Sequence, residues 1–65
     1  MRTTEILNLL RRHPGSYIER DGGIYRIKGA AGDLLTDFQP VFQQIDDMKD
    51  QGWILEDTPK RYMLA

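Results

Sequence analysis

PVFQQIDDMKDQG, residues 40–52, runs directly into WILEDTPKRYMLA, residues 53–65. At 100° per residue, Val41, Phe42, Ile45 and Met48 fall within one apolar arc, the pattern of a helix that buries one side. Pro40 suits the first helical position, where its missing N–H removes no intrahelical bond. Lys49 stands in the last turn, where the helix dipole favours a cation, and Gly52 is a natural C-cap. Beyond it, Trp53–Glu56 and Arg61–Leu64 read as strands around the turn Asp57-Thr58-Pro59-Lys60. The spacing therefore predicts one firm helix followed by a two-stranded ribbon.

Working outward, Thr3 or Thr4 can cap a first helix, with Glu5 in its first turn. Ile6, Leu7, Leu9 and Leu10 form its apolar stripe, and Asn8, Arg11 and Arg12 face water. Pro14 biases His13 out of helical geometry, so this helix ends near Arg12. SYIER, DGG and IYRIK (residues 16–28) then read as a hairpin, because Asp-Gly or Gly-Gly supplies the positive φ that tight turns need. A Gly22–Gly23 turn pairs Glu19 with Arg26 and Ile18 with Ile27. An Asp21–Gly22 turn shifts the pairing by two and keeps every side chain on its face. Either way Ile18, Tyr25 and Ile27 share the core side, and Tyr17, Glu19, Arg26 and Lys28 share the other, a mixed basic-aromatic face suited to nucleic-acid contact but more commonly a solvated outer face. GAAG (residues 29–32) is a flexible connection. Asp33 then caps a short helix that buries Leu34, Leu35 and Phe38 before Pro40 interrupts it.

Sixty-five residues make one small domain, spanning 1–65, near the lower limit for folding without covalent or metal staples. The chain has no cysteine, so disulfides and thiolate metal sites are excluded. The amino-terminal apolar run is too short for a signal peptide or a membrane span. A soluble, cytoplasmic protein without membrane contact is expected. Charge is uneven: residues 1–28 hold six basic against three acidic side chains, net +3, and residues 29–65 hold three against seven, net −4. A net charge of −1 disfavours a general polyanion binder. The asymmetry bears on self-association or on how a partner docks.

ILNLLRRHPG, IDDMKDQGWILED and KRYMLA together give this chain a resemblance to winged helix-turn-helix domains. The resemblance implies an α+β fold of three helices with a C-terminal two-stranded wing, to which the residues of this chain add a β-hairpin after helix 1. Such a domain is a DNA-binding regulatory module whose third helix enters the major groove and whose wing touches the backbone. Carried over by position, Gln39, Gln43 and Gln44 would face the groove and Lys60 and Arg61 would be wing contacts. Arg11 and Arg12 would serve as further phosphate contacts. Gln can read adenine edges, and Lys or Arg can neutralise phosphate. A full hairpin at 16–28 departs from the family, which often has one short strand there.

Asp46, Asp47 and Asp50 oppose that docking, since they lie opposite the apolar arc on the face that would meet the phosphates. The alternative is a protein-interaction module that uses this acidic face or an exposed aromatic of the ribbon. Homodimerisation would cover such an aromatic and add stability to a small core. Catalysis is not expected. His13 is the single histidine and sits at a helix end, no nucleophile accompanies a base, and the Gly-rich DGGIYRIKGAAG lacks the strand-loop-helix context of a nucleotide loop. The three Asp residues alone do not make a metal site. No cofactor is expected.

Overall fold

The computed structural model describes residues 1–65 throughout. Its elements in order are α1 (Thr3–Arg12), β1 (Tyr17–Asp21), β2 (Ile24–Lys28), α2 (Phe42–Asp50), β3 (Ile54–Thr58) and β4 (Arg61–Leu64). Helix–strand–strand thus occurs twice. The strands form one antiparallel sheet in the order β2-β1-β4-β3. None of the helices is long and apolar enough to cross a membrane.

Both helices begin in the same way. The third helical residue reaches back to the amide of the N-cap: Arg2 N–H donates to Glu5 Oε1 at 2.7 Å, and Val41 N–H to Gln44 Oε1 at 3.1 Å. These are the return halves of capping boxes; they place the first N-cap at Arg2 instead of at Thr3 or Thr4, and with Val41 as the second N-cap the first helical position is Phe42 instead of Pro40. α1 buries Ile6, Leu7 and Leu10. It ends where Ser16 Oγ, itself buried, donates to the Leu10 carbonyl at 3.1 Å. Gly15 then turns the chain with a φ of +82°.

The first hairpin adopts the Gly22–Gly23 register, pairing Ile18 with Ile27 and Glu19 with Arg26. The second pairs Leu55 with Met63 and Glu56 with Tyr62, with a bulge between Glu56 and Thr58. Ile18 pairs with Tyr62, which joins the hairpins through β1 and β4. Alternation along the strands turns Ile18, Tyr25, Ile27, Ile54 and Tyr62 towards the helices. There they close a core with Ile6, Leu7, Leu10, Ile45 and Met48.

The three-helix winged plan is corrected by this architecture: there are two helices, and the C-terminal ribbon is half of a four-stranded sheet instead of a free wing. The reason is burial. Each hairpin has one apolar face, and an isolated two-stranded ribbon is at best marginal in water. Joining β1 to β4 buries Ile18 and Tyr62 to 0% and 3% exposure.

Residues 33–38 form no helix. Gly29 N–H donates to the Asp33 carbonyl at 2.8 Å and Leu35 N–H to the Ile27 carbonyl at 3.0 Å, which bridges Leu34 to Lys28. So short a helix, stopped by Pro40, is poorly nucleated, whereas the edge of β2 offers ready backbone partners. Leu35 and Phe38 still pack on the core, and Leu34 is left outside.

The expected arc of the second helix holds only in part. Ile45 and Met48 are buried, but Val41 and Phe42 are 57% and 68% exposed. Val41 is extended at the N-cap. Phe42 stands about 120° around the helix from Met48, which leaves it outside the contact with the sheet.

Candidate interaction surface at the β3 edge

The residues expected to meet DNA occupy different parts of the molecule. Gln39 and Gln43 are exposed near the start of α2. Gln44 is engaged: its Oε1 caps the helix, and its Nε2 donates to the Met1 carbonyl at 3.0 Å, tying α2 to the start of α1. Arg11 and Arg12 lie at the far end of α1, about 15 Å away at helical rise. Arg11 Nη1 donates to Asn8 Oδ1 at 3.2 Å.

Lys60 sits in the β3–β4 turn, where its carbonyl accepts from Arg20 N–H at 2.7 Å. Arg61 alternates with the buried Tyr62 and therefore extends on the open face of the sheet, away from the helices. Its guanidinium lies over the Tyr17 ring, 4.1 Å from the centroid. Arg61 and the glutamines of α2 consequently belong to opposite layers.

Tyr17 itself departs from the expected solvated face, being 5% exposed. Arg61 covers its ring, and the loop at Gly32 approaches its hydroxyl. The rest of that face is internally paired. Lys28 Nζ lies 2.8 Å from Glu19 Oε1, and Arg26 Nη1 lies 2.9 Å from Asp21 Oδ2.

No three side chains of the His, Asp and Glu type converge as metal ligands, the surface has no pocket, and no buried side-chain polar atom lacks a partner. What stands out is a strand edge. A sheet of order β2-β1-β4-β3 has two edges, and the loop at Leu34–Leu35 closes part of the first. The second, β3, has no such cover.

The polarity of the β3 edge follows from its bonds. Ala65 N–H donates to the Trp53 carbonyl at 3.1 Å, whereas the Trp53 N–H donates to the Met48 carbonyl at 2.9 Å; the Trp53 carbonyl, and by alternation the peptide groups of Leu55, therefore turn towards β4. Those of Ile54 and Glu56 turn outward, as unpaired donors and acceptors. On the open face beside them stand Trp53, 43% exposed, and Leu55, 60% exposed. Neither side chain is needed by the core, which takes Ile54 from the same strand.

Charge frames this edge. Glu56 and Asp57 on β3 and Asp46, Asp47 and Asp50 on α2 are all exposed. The first helix–strand–strand unit carries exposed Arg2, Arg11, Arg12 and Arg20. The +3 and −4 halves of the chain thus become two side-by-side units of one molecule.

Trp53 was legible as a candidate exposed aromatic of the ribbon. The open edge beside it was not, because that depends on which strand lies outermost, and strand order leaves no mark in local periodicity. Comparison of the chain with protein-family models, with curated proteins and with solved structures returned no match.

Proposed function

We propose that this domain is a non-enzymatic protein-interaction module that binds an extended segment of a partner by strand addition to β3. One observation carries the reading. β3 offers outward peptide groups at Ile54 and Glu56 next to exposed Trp53 and Leu55, whereas the other edge is partly closed by Leu34 and Leu35. Strand addition draws affinity from main-chain hydrogen bonds and specificity from alternate side chains. Here Trp53 and Leu55 provide the alternate apolar contacts. Natural sheets cover, shorten, charge or bulge such edges; on β3 the bulge and the acidic Glu56 and Asp57 blunt the far half, which leaves Ile54–Glu56, with the preceding Trp53 and with Leu55 beside it, as the docking part. Without cysteines, the module suits a reducing, cytoplasmic setting.

Duplex DNA is the competing ligand, supported by adjacent Lys60 and Arg61 at the second hairpin. A selection from a random peptide library separates the two. Strand addition yields extended binders whose affinity falls about tenfold or more in Leu55→Glu, a loss of about 1.4 kcal/mol or more. A library that yields no binder, or binders indifferent to Leu55→Glu, contradicts the reading.

A further inference from the structure

We infer that the strand received by β3 is β2 of another copy of this chain, giving head-to-tail association. This inference rests on the reading of β3 as a docking edge and names its partner.

The two helix–strand–strand units lie side by side in the same orientation, with β1 parallel to β3 and β2 parallel to β4, because each neighbouring pair is antiparallel. Ile18 and Ile54 hold corresponding places in the first strand of each unit, and Tyr25 and Tyr62 in the second. Within the molecule the units meet through β1 and β4, with Ile18 opposite Tyr62. The same step taken once more sets β3 of one molecule against β2 of the next, antiparallel, with Ile54 opposite Tyr25 of the next copy.

The hydrogen-bond polarity fits this step. Ile54 turns its peptide groups outward. On β2, the Ile27 carbonyl faces outward to accept from Leu35 N–H, so alternation turns the Tyr25 groups outward as well. The closing bridge lies at Lys28–Leu34 and leaves the backbone edge at Ile24–Arg26 uncovered, while the Arg26 side chain pairs with Asp21.

Side chains and charge fit too. On the open face the register brings Leu55 against Ile24 of the next copy, both exposed apolar residues at 60% and 40%. It brings Trp53 beside Arg26 of the next copy, a pairing of the kind Tyr17 and Arg61 already make. The acidic second unit of one molecule meets the basic first unit of the next. A two-fold β3–β3 dimer would instead set Asp46, Asp47, Asp50, Glu56 and Asp57 near their own copies, which like charge disfavours. The contact involves few residues, well below the ~1,600 Å² of a standard stable interface, so association is concentration-dependent. It is also heterologous and does not close at two copies.

Sedimentation velocity on the whole chain and on two surface variants tests this. The wild type should grow in average mass with concentration, passing beyond dimer, and should shrink at high salt. Leu55→Glu blocks β3 and Ile24→Lys blocks β2, so each alone should associate at least about tenfold more weakly. Mixed together they should form a one-to-one dimer, because each keeps one working edge. A wild type that is monomeric throughout, an Ile24→Lys variant that still associates like the wild type, or a mixture that stays monomeric would overturn the inference. Those results leave the peptide selection to judge strand addition itself. Circular dichroism of each variant checks that it folds.

Discussion

Tyr17 and Arg61 come from opposite ends of the chain and meet on the open face of the sheet, where the guanidinium covers the ring. Such a contact at an exposed site contributes about 0.5–1 kcal/mol. Arg61→Ala should lower stability by about that amount in urea denaturation and expose the Tyr17 ring, whereas Arg61→Lys should keep part of the effect. Gly15 is the more demanding position. Its φ is +82°, and a Cβ there would lie 3.0 Å from that of Ala30. Gly15→Ala should therefore destabilise the domain by about 1–2 kcal/mol, read as a lowered denaturant midpoint. The alternation that put Tyr17 on the face opposite Ile18 was legible in the sequence. Its burial was not, since that needs β4 as a neighbour and the glycine-rich loop folded back over the hydroxyl.

At the scale of elements, bonding pattern decides which edges are open. Leu35 N–H is bonded to Ile27, whereas Ile54 and Glu56 turn theirs to solvent. Amide hydrogen exchange by NMR should find Leu55 and Leu35 protected and Ile54 and Glu56 exchanging much faster, at concentrations where the chain is monomeric. Protection of Ile54 and Glu56 under those conditions would show that the edge is already covered. The first helix and both hairpins were legible because period and turn chemistry are local: apolar spacing in ILNLLRR, and two glycines that set the register at Gly22–Gly23. The stretch 33–38 was misread for the converse reason. Leu34, Leu35 and Phe38 have helical spacing, but the backbone there is claimed by β2, a tertiary effect that propensity does not record.

At the scale of the whole molecule, the core depends on the junction of β1 with β4. Ile18, fully buried at that junction, should cost about 2–5 kcal/mol when replaced by Ala. For a domain of this size total stability is about 3–10 kcal/mol, so Ile18→Ala should leave a substantial unfolded population by circular dichroism. The charge asymmetry between the halves was plain in the sequence. Its meaning appears only when the two units are seen side by side, with acidic groups flanking the open edge and arginines on the opposite unit. The most direct measurement is a backbone amide NMR titration of the monomeric chain, with an extended peptide obtained by selection in one series and mixed-sequence duplex DNA at low salt in another. The peptide should shift Trp53, Ile54, Leu55 and Glu56 and leave Gln39 and Gln43 unmoved. Shifts at Gln39, Gln43, Lys60 and Arg61 with DNA that fade with salt, and a β3 edge unmoved by peptide, would contradict strand addition and return the domain to nucleic acid.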